Sequence, residues 1–192
     1  MYSASGELIL AEATRLFYAE GIGAVGVDRV SAESGVSKPT LYAQFGNKDK
    51  LAAAVLQRRK AKWQKELQEV IDGLPADTDS RVLALFDRFA RNHTRSGFRG
   101  CPFIIAAAEL PNSEHPARVP IAEYQAWIRG FLAELTRADG IATTDAEAMQ
   151  LGEQFSLLLD GANAQVITLG DKKAMARARD IAAGIIAAHS TT

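Results

Sequence analysis

The 192-residue chain reads as all-α. Three observations carry that reading. Apolar residues recur three and four positions apart along most of the chain, and no stretch shows the strict alternation of a half-buried strand. The apolar runs are bounded by Ser, Thr, Asn, Gly and Pro where helices start and stop. Hydrophobic residues make up 47% of the chain, enough for a substantial core.

Ser3 or Ser5 caps a first helix with an inward stripe of Ile9, Ala13, Leu16 and Phe17, and Gly21 ends it. The stretch VDRVSAESGVSKPTLYAQF, Val27 to Phe45, then reads as two short helices joined by a tight turn. Val27, Val30 and Ala32 give the first its apolar positions. Gly35 suits the left-handed conformation that follows a helix end. Ser37 is the N-cap of the second, and Pro39 is tolerated in a first turn, where its missing N–H would be unpaired anyway. Leu41 and Phe45 lie on one face; Thr40, Tyr42 and Ala43 point away from it. A short helix with a buried back and a front of hydroxyls, a cation and a small side chain suits the DNA major groove, although a helical hairpin in a core could show the same spacing.

Asn47 caps a long helix from Lys48 to about Ile71. Further helices are expected from about Ser80 to Thr94, from Cys101-Pro102 to before Pro111, and from Ala117 or Ile121 to Ala138. The last two follow Thr144 to Leu169 and Asp171 to Ala188. The expected organisation is a helix-turn-helix domain over 1–47 and a larger helical domain over 48–192, with the helix 48–71 linking the two.

Residues 5 to 56 resemble the N-terminal DNA-binding domain of the TetR family of transcriptional regulators. The resemblance rests on Ile9-Leu10, Ala13, Leu16-Phe17, Gly21, Val27, Val30, Gly35-Val36-Ser37, Thr40-Leu41-Tyr42, Phe45, Lys48 and Leu51. The chain departs from the family pattern at Gly26, where Ser or Thr is usual, and at Ala43, where many relatives carry a longer polar side chain. RGCPFIIAAAEL with HPAR, and LLLDGANAQ with ARARDIAAGII, look like the C-terminal domain of one branch of the family.

The resemblance implies a cytoplasmic homodimer that is not an enzyme. It would act as a repressor released from a palindromic operator by a small-molecule effector, with no cofactor, metal or membrane partner. Lys38 and Thr40 are the expected base-edge contacts. Ser37, Tyr42 and Lys48 are expected on phosphate, and Arg29 could also meet one. The effector pocket is expected among Trp63, Phe86, Phe89, His93, Phe103, Tyr124, Trp127, Phe131, Phe155, Leu159 and Asn163, which equally resemble ordinary helical core. The dimer interface is expected from Leu151, Phe155, Leu158, Ala178, Ile181, Ala182 and Ile185.

Other readings stay open. Cys101, at a helix start beside Arg99, could be the thiolate of an oxidant- or electrophile-sensing repressor, or a small buried hydrophobe. A helical small-molecule-binding protein or enzyme with a vestigial helix-turn-helix is a further alternative. The net charge of −1 does not advertise nucleic-acid binding; up to Lys62, nine basic residues face six acidic ones. One cysteine precludes an internal disulfide, His93, His115 and His189 lack ligand spacing, and no apolar run reaches membrane-spanning length.

Overall fold

The computed structural model of the chain describes residues 2–189. Over those residues it holds nine helices and no strand. In order they are α1 (Ala4–Glu20), α2 (Val27–Ser34), α3 (Lys38–Phe45), α4 (Lys48–Asp72), α5 (Arg81–His93), α6 (Pro102–Glu109), α7 (Arg118–Ala138), α8 (Asp145–Leu169) and α9 (Ala174–His189). The chain divides into two compact units, but not at residue 47. One unit takes Met1–Lys62 together with Pro102–Glu123; the other takes Trp63–Cys101 and Tyr124–Thr192. The helix-turn-helix therefore shares its unit with α6 and the start of α7.

In the first unit, the Ser3 hydroxyl caps α1 by accepting the Gly6 N–H at 3.1 Å. The stripe Ile9, Leu10, Ala13, Leu16 and Phe17 is buried. Gly35 closes α2 at φ 68°, the left-handed conformation that a β-carbon would strain. Ser37 caps α3 by accepting the Thr40 N–H at 3.4 Å. Leu41 and Phe45 bury the back of α3; each contributes about 1.5–3 kcal/mol by leaving water. The Asn47 carboxamide oxygen accepts the Lys50 N–H at 2.8 Å and starts α4.

In the second unit, α9 packs on α5 and α8. The start of α5 is held twice. The Ser80 hydroxyl accepts the Leu83 N–H at 3.2 Å. The fully buried Asp139 carboxylate, just past α7, accepts from the Arg81 N–H at 2.7 Å, the Val82 N–H at 3.2 Å and the Ser80 hydroxyl at 3.1 Å. It also pairs with the Arg81 guanidinium at 3.0 Å. A negative group at a helix N-terminus is favoured by the helix dipole as well as by these bonds. Gly152 lets α8 approach α7 closely: a β-carbon there would lie 2.5 Å from the Arg129 carbonyl oxygen. The last helix begins at Ala174 rather than Asp171, because the Asp171 carboxylate accepts the Lys173 N–H at 2.9 Å and makes a turn instead.

The expected dimer face needs correction. Leu151, Phe155, Ala178 and Ala182 are buried inside the subunit. The small residues Ala174, Ala178 and Ala182 form the stripe of α9 that lies within the unit's core. The exposed apolar residues lie off these stripes: Leu157, on the opposite face of α8, is 70% exposed, and Ile181, on the flank of the α9 stripe, is 54% exposed. Leu158 and Ile185 are half-buried.

Candidate nucleic-acid interface

The front of α3 is presented as the sequence leads one to expect. Tyr42 is 47% exposed, Ala43 is exposed, and Thr40 is half-buried with its hydroxyl 2.9 Å from that of Ser37. The Lys38 ammonium lies 2.6 Å from Asp28 on α2, an exposed pair that water screens and that phosphate or a base edge could replace. This front therefore offers hydroxyls and one exchangeable cation to a groove.

Two of the expected contact residues are already engaged within the protein. Arg29 is engaged by Glu20 and, at 2.7 Å, by Glu33; Glu33 and Glu12 also hold Arg15. Hydrogen bonds to Glu33 and then Glu20 hold the Arg29 guanidinium above its usual range, and Arg29 in turn holds the Glu33 carboxyl below its own. Three carboxylates thus surround two guanidiniums, so Arg29 is poorly placed to neutralise phosphate. Lys48 donates to the Gly23 carbonyl oxygen at 3.3 Å, so it braces the turn between α1 and α2 while remaining half-exposed at the start of α4.

That turn is gripped from its other side as well. The Glu109 carboxylate, at the last position of α6, accepts the Ile22 N–H at 2.6 Å and the Gly23 N–H at 3.2 Å. Gly21, at φ 99°, lies against the same carboxylate, and a β-carbon there would be 2.8 Å from its oxygen. Nearby, His115 accepts the Ala117 N–H at Nδ1 (3.1 Å), which leaves Nε2 to carry the proton toward Asp49 in the first turn of α4 at 3.3 Å. Sequence reading assigned no role to Glu109. The signal available was electrostatic: a carboxylate at a helix C-terminus opposes the dipole and needs donors from elsewhere.

The expected effector residues fall in the second unit, except Phe103, which belongs to the first. Trp63 meets Phe89 (5.4 Å between ring centres) and Tyr124 (6.4 Å); Tyr124 meets Trp127 (6.1 Å), and Trp127 stacks on Phe131 (5.1 Å). Phe86 meets Phe155 edge-on at 6.3 Å, and Leu159 is buried. His93, only 1% exposed, packs in a tilted arrangement against Phe98 at 4.6 Å, and its Nε2 lies 3.2 Å from the Asn163 carboxamide oxygen. The Asn163 amide donates to the Leu159 carbonyl, so its oxygen faces the histidine and Nε2 carries the proton. His93 Nδ1 is then a buried acceptor with no hydrogen-bond partner among the described residues. Burial lowers the His93 pKa, partly offset by the bond to Asn163.

The Asp160 carboxylate on α8 accepts from the Gln125 amide at 3.1 Å. Burial raises its pKa, with Gln125 and Arg129 opposing. Burial also raises the Tyr124 phenol well above its usual range, followed by the influence of Cys101 and Asp160. Cys101 itself is 5% exposed, an environment that shields a thiol from oxidants.

Two family models match the chain. Residues 9–55 match "Bacterial regulatory proteins, tetR family", and residues 78–182 match "Tetracyclin repressor-like, C-terminal domain". The chain belongs to the TetR family of transcriptional regulators. It is a DNA-binding regulator and not an enzyme. A TetR-family regulator from Streptomyces coelicolor superposes with a TM-score of 0.86 at 30% identity, covering 97% of this chain and 96% of the other. The transcriptional regulator LmrA of Bacillus subtilis is 27% identical over 162 residues, 83% of this chain and 85% of its own length. The transcriptional activator FasR of Mycolicibacterium smegmatis is 36% identical over 100 residues, 49% of this chain and 43% of its own length.

Proposed function

We propose that this TetR-family regulator is a cytoplasmic homodimer that represses from a palindromic operator until a small molecule binds its second unit. The outward apolar faces of α8 and α9 carry the dimer reading. Leu157 stands on the side of α8 opposite the subunit core, Ile181 is exposed on the flank of the buried stripe of α9, and Gly161 and Ala164 along α8 and Gly184 along α9 are exposed. Two copies apposed there would bury both rows in a four-helix interface, since exposed apolar rows of this kind are rarely left in water. Two copies of α3 would then enter successive major grooves about one helical turn apart.

Lys38 and Thr40 would read base edges, with Ser37, Tyr42 and Lys48 on phosphate. In the second unit, the aromatic cluster around Trp63, Tyr124 and Trp127 would take the apolar body of the effector, with His93, Asn163 and Asp160 as its polar neighbours. Release requires that the effector favour one arrangement of the dimer over the other; equal affinity would shift nothing.

Sedimentation of the wild type and of Leu157→Glu, with a gel shift against DNA selected from random sequence at two salt concentrations, tests this. The expected result is a dimeric wild type that gives a salt-sensitive, competitor-resistant shift. Leu157→Glu should be monomeric and bind the two-half-site DNA far more weakly. A monomeric wild type that binds a single half-site would overturn the dimer reading.

A further inference from the structure

We propose that Glu109 is the positioning residue that fixes the helix-turn-helix from α6. The turn from Gly21 to Gly23 sets where α2 begins, and α2 with its turn sets the pose of α3. Glu109 holds the N–H side of this turn through Ile22 and Gly23, and Lys48 holds its carbonyl side through Gly23. The two grips come from separate helices, α6 and α4.

Three further observations make the clamp specific. A carboxylate at the end of α6 sits against the negative end of the helix dipole, a placement that gains nothing without the two N–H donors. Gly21 leaves room for the carboxylate where any β-carbon would press on it. Between α6 and the helices α1 and α4 lies a small open pocket, lined in part by Phe17, Val55, Arg59, Ile105 and Glu109. Pro102, Phe103 and Ala106 pack α6 into the unit, and the hydrogen bonds of Glu109 beside this pocket add a directional register on the turn. A displacement of α6 by about an ångström carries the 2.6 Å contact out of hydrogen-bond range and frees α2 to shift.

The test uses the full-length protein and an operator selected by the wild type from random DNA. Affinities of the wild type, Glu109→Gln, Glu109→Ala and Glu109→Asp are measured on that operator and on versions with one base pair added to or removed from the half-site spacing. Glutamine keeps an acceptor oxygen in place and should keep both affinity and spacing preference. Alanine lacks the acceptor, and aspartate is one methylene too short. Both should lose about tenfold on the selected spacing, within the usual range for coupled sites, and much less on the altered spacings. The salt dependence should stay the same, because no phosphate contact is removed. Hydrogen exchange should quicken at the Ile22 and Gly23 amides while core amides such as that of Leu51 stay protected.

An equal loss on every spacing would show a merely structural role, and unchanged affinity with unchanged exchange would remove the clamp altogether. If alanine unfolds the unit, aspartate decides by the same criteria, and if both unfold it the role is structural and the proposal fails. The spacing readout rests on the dimer reading. A wild type indifferent to spacing would refute that reading alone, and the exchange at Ile22 and Gly23 would still decide the clamp.

Discussion

Asp139 anchors the helix that carries Phe86, Phe89 and His93, and its removal should be among the costliest single changes in the second unit. Its carboxylate accepts two backbone N–H groups and a hydroxyl at the start of α5 and pairs with the Arg81 guanidinium. Asp139→Ala strands those donors in a poorly solvated site. An unmet buried donor costs about 1–3 kcal/mol, and loss of a charge well placed on a helix dipole about 0.3–2 kcal/mol. Part of the loss is recovered by water at the partly exposed Arg81 side. A net loss of about 3–5 kcal/mol is expected. For a chain of this size that is a fall in Tm of roughly 6–20 °C. Asp139→Asn keeps one acceptor oxygen but turns an amide donor toward a donor, so about 1.5–3 kcal/mol is expected. Arg81→Ala removes only one partly exposed partner and should cost under about 1 kcal/mol. Urea and thermal unfolding, followed by circular dichroism, measure all three. A loss below about 1 kcal/mol for Asp139→Ala would refute the reasoning.

Gly152→Ala places a β-carbon 2.5 Å from the Arg129 carbonyl oxygen and forces α7 and α8 apart. About 1–3 kcal/mol should be lost on thermal unfolding, whereas Gly130→Ala, with open space around it, should not destabilise. His93 is neutral when folded, and burial depresses its pKa, so the unfolded chain takes up a proton that the folded chain refuses. Stability should therefore fall as pH drops through about 6.5 toward the folded value, and His93→Gln should flatten that part of the profile in unfolding curves between pH 7.5 and 5. Lys38→Ala should relax base preference at one operator position by about 1–3 kcal/mol in competition binding. Tyr42→Ala should instead weaken all operators alike and leave the salt slope intact.

The helix-turn-helix was legible because its determinants are local. Gly35, Ser37 and the Leu41/Phe45 pair act within a few residues of themselves, and each has the expected geometry. Arg29 was only half legible: Glu33 stands one turn along α2 at i,i+4 spacing, but Glu20 on α1 reaches it only once α1 and α2 are packed. The outward face of α9 was misread because small residues were taken as a mark of contact between subunits. They are equally what a helix needs to sit close inside its own subunit, as Ala178 and Ala182 do. Glu109 and Asp139 were invisible because their partners lie 87 and 58 residues away in the chain.

The unit that holds the helix-turn-helix is built from two separated stretches, Met1–Lys62 and Pro102–Glu123. A single crossover between two regulators, placed anywhere from residue 63 to 101, would give the recombinant a reading head from one parent and its bracing segment from the other. Glu109 would then face a foreign turn, or Gly21 a foreign helix end. Operator specificity in such hybrids would be portable only as a two-part insert, and designers who exchange the first sixty residues alone should expect a head that reads the right bases at the wrong pitch.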